Sequence, residues 1–203
     1  MKMQLRYSPT SPYVRKVSVT LIESGLADQV EQIATNPWDP ETSLPEQNPL
    51  GKVPVLVTAE GDEIFDSHVI CEYLDGLHNK EKMVPPSGPA RINALRLHAL
   101  ADGILDAAVL GFIEMVRRPE AYRWSGWRDR QVTAIHRSLD WLESHSSLLD
   151  QSATIGTIAV GCALGYLDFR FADQMWREGR GDLSSWHEEF SKRASMRETV
   201  PKD

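Results

Sequence analysis

The chain has 203 residues, 41% of them apolar and 25% charged, which fits one large domain or two small ones with a real core. Its net charge of −7, from 29 acidic and 22 basic residues, argues against nucleic acid as a partner, because holding phosphates needs a basic face. The two cysteines, Cys71 and Cys162, lie far apart in apolar settings. They leave no metal-ligand spacing, so no metal is expected, and two buried reduced thiols suit a reducing cytoplasm. No apolar run is long enough to span a membrane and the N-terminus has no signal-like core, so no membrane partner is expected.

Residues 1–7 alternate, with Met1, Met3, Leu5 and Tyr7 against Lys2, Gln4 and Arg6, the pattern of a half-buried strand. Ser8-Pro9-Thr10-Ser11-Pro12 is a turn in which Ser11 suits a helix N-cap and Pro12 the first helical position. The helix runs to about Ser24 with Val14, Val17, Leu21 and Ile22 on one face, and Gly25 suits the position just past its end. A short strand follows at 29–34. Residues 36–48 are polar and hold Pro37, Pro40 and Pro45, which reads as a surface loop. A hairpin is expected from a strand at 55–58, the turn Glu60-Gly61 and a return strand Glu63-Ile64-Phe65. Asp66-Ser67 opens another helix that carries Val69, Ile70, Tyr73, Leu74 and Leu77. The order β-α-β, loop, β-β-α, with a crossover between parallel strands, is that of a thioredoxin-like α/β domain over residues 1–82.

Residues 83–89 contain Pro85, Pro86, Gly88 and Pro89 and read as a linker. Beyond it only helical spacing is found. Helices are expected over 90–116, 128–144, 154–171 and 182–194. The third is apolar nearly all round and therefore central, and the fourth turns Trp186 and Phe190 inward. Residues 195–203 read as a loose tail. The segment 90–203 is thus an all-α domain, with Trp124, Trp127 and Trp141 taken as packing residues and His98 and His136 as structural.

Asn48-Pro49-Leu50-Gly51-Lys52-Val53-Pro54-Val55-Leu56-Val57 is a loop running straight into a strand. Pro54 lacks an N–H and belongs at a strand's first residue or in a turn. A cis Val53–Pro54 bond would turn the Val53 main chain outward to pair with an extended peptide. An ordinary trans approach to the strand is the other reading, and the stretch alone favours it.

Taken with its surroundings, this stretch changes meaning. A thioredoxin-like domain with Val-Pro before its third strand, joined to an all-α domain, resembles the cytosolic glutathione S-transferases, in particular bacterial, serine-type members. The similarity covers essentially the whole chain. It rests on the turn Ser8 to Val17, on Asn48 to Leu56, on Phe65-Asp66-Ser67 before an apolar helix, and on Ile158 to Arg170, which resembles the core helix of bacterial members. One departure is that the family often caps this core helix with Ser/Thr-x-x-Asp, whereas here Thr154-Ile-Gly-Thr157 stands. A somewhat weaker cap is expected.

The resemblance implies glutathione as co-substrate, a small electrophile as second substrate, a homodimer, and a role in detoxification. The γ-Glu carboxylate of glutathione would meet the helix start and hydroxyl of Ser67, and its ammonium the carboxylate of Asp66. Its cysteinyl main chain would pair with Val53 ahead of Pro54, and Lys52 would meet or steer the C-terminal carboxylate. A hydroxyl donating to the sulfur favours the reactive thiolate. Ser11 is preferred for this role over Ser8, with Thr10 a bystander. Ser11 as a plain helix cap and Asp66-Ser67 as a plain cap pair are the bland alternatives. Tyr7, by its strand periodicity, does not match the tyrosine of other classes. No cysteine occupies the turn, which disfavours disulfide exchange. The electrophile pocket is expected against the helix from about Gly103 to Arg118, with Asp106, Leu110, Glu114, Met115 and Arg117. Asp102 would reach a neighbouring subunit's glutathione, as in some relatives. A non-catalytic binding protein on the same fold, or a glutathione-dependent peroxidase or isomerase, remains the alternative.

Overall fold

The computed structural model describes residues 2–202; Met1, the first residue of the expected strand, and Asp203, the last of the expected tail, lie outside the described residues. The chain forms two compact units. One runs up to Pro86 and takes in the segment from Ala194 onward; the other is Ser87–Arg193.

The first unit is a thioredoxin-like α/β domain. Strand β1 (Met3–Tyr7) alternates as expected, with Met3 and Leu5 buried. Helix α1 (Pro12–Ser24) starts with Pro12 at its first turn and Ser11 at the N-cap. It ends on Gly25 at φ +78°, where the Gly25 and Leu26 N–H groups donate to Ile22 O and Leu21 O and so take up two carbonyls the helix leaves open. Strand β2 (Val30–Ala34) runs parallel to β1, which the α1 crossover requires. The polar loop contains a one-turn helix α2 (Leu44–Gln47), seated by the buried Leu44. Strand β3 (Val55–Val57) lies antiparallel to β1, and β4 (Glu63–Ile64) antiparallel to β3, in the sheet order β2-β1-β3-β4. Both hairpin strands are one residue shorter than expected: β4 ends before Phe65, which leads into the next helix, and β3 ends before Thr58, which closes the turn, its N–H donating to Asp62 O at 2.9 Å and its hydroxyl accepting from Asp62 N at 3.1 Å.

Helix α3 (Ser67–Gly76) packs on α1, with Ile70, Cys71 and Leu74 fully buried and Thr20 Oγ1 donating to Cys71 Sγ at 3.4 Å. Val69 and Leu77, expected on the apolar face, are exposed; the buried stripe is 67, 70, 71, 74 and 75. Asp75 folds the following segment onto the end of α3. Its carboxylate accepts from Met83 N at 2.8 Å and Val84 N at 3.0 Å, and pairs with His78 Nε2 at 3.1 Å.

The expected loose tail is not loose. Ala194–Glu198 forms a short helix, α8, packed on α1, and Ser195 and Met196 are each 1% exposed. Two apolar side chains in five residues, Ala194 and Met196, give no helical periodicity from which to read it.

The second unit is all helical: α4 (Gly88–Phe112), α5 (Ser125–Ser144), α6 (Ile155–Arg170) and α7 (Gly181–Phe190). A π-helical turn, Ile113–Arg117, ends α4. The buried Glu114 within it accepts from Arg118 Nε at 2.8 Å and from Trp124 N at 2.7 Å, which returns the chain toward α5. Helix α6 is central, with Ile158, Ala159, Val160, Cys162, Ala163 and Leu164 fully buried. Its cap is stronger than expected. Thr154 N donates to Thr157 Oγ1 at 3.0 Å and Thr157 N to Thr154 Oγ1 at 3.2 Å, a complete reciprocal capping box without a carboxylate. Trp186 and Phe190 are buried as expected, whereas Trp124 is 66% exposed and does not pack. No described helix is long and apolar enough to cross a membrane.

Candidate functional site

Strand register gathers the first unit's notable loops at one end of its sheet. Arg6 lies opposite Val55, so the C-terminal end of β1, which leads into Ser8–Ser11, adjoins the segment Lys52–Pro54 that leads into β3. Leu56 lies opposite Ile64, so β4 leaves the sheet at that same end, into Asp66–Ser67. Three stretches distant along the chain are thus brought to one end of the sheet by two antiparallel pairings.

The turn between β1 and α1 is tight: Ser11 N donates to Ser8 O at 3.1 Å. Ser11 has extended backbone angles, and its Oγ accepts from Val14 N at 3.3 Å, the usual capping bond. A hydroxyl both donates and accepts, so this bond leaves the Ser11 O–H free to donate elsewhere. Ser8 Oγ lies 3.3 Å from Thr10 Oγ1, a hydrogen bond in which either hydroxyl can be the donor. Both serines are half-buried. Tyr7 is half-buried at the end of β1.

The Val53–Pro54 peptide is cis. Val53 is outside the ladder, which begins at Val55, and its N–H and C=O take part in none of the internal hydrogen bonds of the described residues. Lys52 is exposed and Val53 half-exposed. The loop before them is closed by Asn48, a residue that sequence reasoning quoted without giving it a task. Asn48 is 2% exposed. Its Nδ2 donates to Lys52 O at 2.8 Å, its Oδ1 accepts from Leu50 N at 3.0 Å, and its own carbonyl accepts from Gly51 N at 2.8 Å. Gly51 takes φ +61°, a conformation that a side chain would oppose. The loop sequence alone contains a clue, an Asn three residues before a Gly, but the closing bond to Lys52 depends on three-dimensional path.

Asp66 caps α3. Its Oδ1 accepts from His68 N at 3.0 Å, while Oδ2 has no partner among the described residues. Ser67 is the first residue of the helix and is buried. First-turn N–H groups have no carbonyl within their helix, so this end favours an anion. Together the edge offers one turn that bears the Ser8 and Ser11 hydroxyls, an unpaired strand-like main chain, a helix start and a carboxylate oxygen. That set suits a short extended peptide carrying a carboxylate and an ammonium.

In the second unit, residues expected near a pocket have structural partners. Glu114 holds Arg118 and Trp124, and Asp102 lies 3.2 Å from Nε2 of the fully buried His98. Leu110, Met115 and Val116 are exposed. His136 Nδ1 faces Arg180 Nη2 at 3.2 Å, in keeping with a structural role.

Residues 10–77 match the family described as "Glutathione S-transferase, N-terminal domain", and residues 125–189 match "Glutathione S-transferase, C-terminal domain". The chain is 38% identical over 202 residues, 98% of each chain, to the uncharacterized GST-like protein YibF of Escherichia coli K12. Among solved structures it resembles a glutathione transferase family member from Pseudomonas fluorescens Pf-5 with bound glutathione, at 42% identity and TM-score 0.96 over 100% of both chains. It also resembles a glutathione S-transferase from Methylobacillus flagellatus KT with glutathione bound, at 36% identity and TM-score 0.92, covering 99% of this chain and 100% of that one.

Proposed function

The chain belongs to the glutathione S-transferase family, and we propose that it is a glutathione transferase that uses Ser11 to stabilise the thiolate and joins it to a small apolar electrophile. The observation that carries this reading is the register of β1, β3 and β4, which sets the Ser11 turn, the Val53 main chain and the Asp66–Ser67 helix start at one sheet edge. The bound glutathione of two similar structures supports glutathione as the co-substrate.

In this account Val53 pairs with the cysteinyl main chain of glutathione as one more antiparallel strand, made possible by the main chain ahead of Pro54. The γ-Glu carboxylate lies on the first turn of α3 beside Ser67, and the free Asp66 oxygen takes the ammonium. Lys52 meets the C-terminal carboxylate. The Ser11 hydroxyl donates to the sulfur while it still accepts from Val14 N. Ser8 is the second choice: its hydroxyl is hydrogen-bonded to that of Thr10, and where Ser8 is the donor its proton is already engaged.

The magnitudes suffice. A free thiol has a pKa of about 8.5, so only a few per cent is ionised at pH 7. Lowering that value by about two units requires roughly 2.7 kcal/mol. A hydrogen bond to a charged group supplies about 1.5–3 kcal/mol, and the N-terminus of α1 adds to it. The thiol proton leaves to solvent. The sulfur's electron pair then forms the bond to the electrophilic carbon, and that carbon's leaving group departs with its own bonding pair. A homodimer in the cytoplasm completes the proposal.

The test is a calorimetric titration with glutathione, with the ultraviolet absorbance of the bound thiolate followed in the same samples. Saturable binding with absorbance persisting at pH values where free glutathione is protonated is the expected result. No saturable binding would sink the reading.

A further inference from the structure

We infer that Arg15 is a positioning residue that braces the Ser11 turn against the C-terminal segment; this rests on the assignment of Ser11 to the thiol. Arg15 sits one helical turn beyond Ser11, and its N–H donates to Ser11 O at 3.1 Å. Its side chain is 7% exposed and reaches the segment after α7. Nη2 donates to Met196 O at 3.1 Å and Nε to Thr199 Oγ1 at 3.4 Å. Thr199 in turn donates to Ser195 O at 2.7 Å, and Ser195 donates to Glu23, near the far end of α1. The C-terminal segment is therefore tied to α1 at two points, Arg15 and Glu23, just over two turns apart.

A wish for stability alone does not explain this side chain. Among the described residues Nη1 is buried with no hydrogen-bond partner, a cost that an apolar side chain of the same volume would avoid. What the guanidinium provides is direction. Its two bonds fix the rotation of the first turns of α1 relative to α8, and Ser11 hangs from that turn through both its carbonyl and its Oγ. A donor aimed at a reacting sulfur loses effect steeply with small displacement, so a brace one turn away acts on the reaction without touching the substrate. Thr199 and the Met196 carbonyl are the far side of the same device.

The experiment uses the full-length chain and two variants, Arg15→Met and Thr199→Val. The first readout needs no ligand: hydrogen exchange at the Val14 and Arg15 amides, which report the Ser11 cap. Both variants are expected to exchange there about tenfold faster, with amides in the middle of α3 much less affected. The second readout is the pH profile of bound thiolate. The variants are expected to hold about threefold less thiolate at neutral pH, with the glutathione Kd within about twofold of wild type. Equal acceleration of exchange throughout the unit, or an unchanged thiolate profile, would make Arg15 a merely structural residue and overturn the inference. If Arg15→Met does not fold, Thr199→Val decides alone, since it leaves the bond to Met196 O in place. A wild-type protein that binds no glutathione would defeat the functional reading, while the exchange measurement would still decide the brace.

Discussion

Asn48 Nδ2 donates to Lys52 O at 2.8 Å, and through this one bond a buried amide fixes the main chain just ahead of Val53. Asn48→Ala removes this bond and the one Oδ1 accepts from Leu50 N. At about 1 kcal/mol each, the loss is roughly 2 kcal/mol of stability, concentrated in the loop. The expected outcome is a lowered Tm together with glutathione binding weakened about tenfold, read by thermal melting and calorimetry. A lowered Tm with unchanged affinity would show that the loop does not set the peptide-pairing main chain.

The two helical-unit glycines Gly156 and Gly103 make a matched pair. A Cβ on Gly156 would lie 2.5 Å from Ala94 O and 2.9 Å from Leu97 Cβ, so α4 and α6 approach there as only glycine allows. A Cβ on the exposed Gly103, inside α4, meets nothing within 4 Å. Gly156→Ala is expected to cost about 2 kcal/mol through overpacking. Gly103→Ala is expected to leave stability unchanged or raise it by up to about 1 kcal/mol, through helix propensity. Urea melts of the two variants check the contrast.

These elements also show what a sequence can and cannot reveal. Ser11, Pro12 and Gly25 mark both ends of α1 because capping chemistry is local, and alternation at Met3 and Leu5 marks β1 for the same reason. That the three loops meet followed from the resemblance, because the element order does not give the pairing of β1 with β3. Asn48 as a loop clasp, Arg15 as a buried arginine and α8 as a packed helix were not, because each depends on partners distant along the chain or on a single apolar contact. Trp124 misled for the converse reason: an aromatic at helical spacing says nothing about whether its face is covered, and here it stands outside α5. The reciprocal cap of α6 was half legible. Thr154 and Thr157 stand at capping spacing in the sequence, and their reciprocal pairing restores the box that the missing carboxylate had put in doubt.

Asp168 gives the second unit an acid-sensitive point. Burial pushes its carboxyl pKa up, but hydrogen bonds from Arg177 and from Trp176 Nε1 at 2.7 Å, with the Arg177 and His187 charges, outweigh burial and hold it below 3.8. A carboxyl with a depressed folded value stabilises the fold above its unfolded value, and that contribution is lost as pH falls through the lower folded value. Because the pair is partly exposed, solvent screens it, and Asp168→Asn is expected to cost only about 1 kcal/mol at neutral pH. The gap between variant and wild type should close as the pH drops below 3.8. Chemical denaturation across a pH series checks this. A gap that stays constant into acid would show that packing rather than charge holds Asp168.

The most direct measurement is the pH titration of thiolate absorbance for glutathione bound to the wild type, Ser11→Ala and Ser8→Ala. A hydrogen bond from Ser11 to the sulfur is worth about 1.5–3 kcal/mol, so Ser11→Ala should raise the bound thiol's pKa by about one to two units. Ser8→Ala should leave it near wild type, and the glutathione Kd should change little in either variant. If Ser11→Ala keeps the wild-type thiol pKa while glutathione affinity collapses, Ser11 is a structural cap and the proposed serine chemistry is wrong.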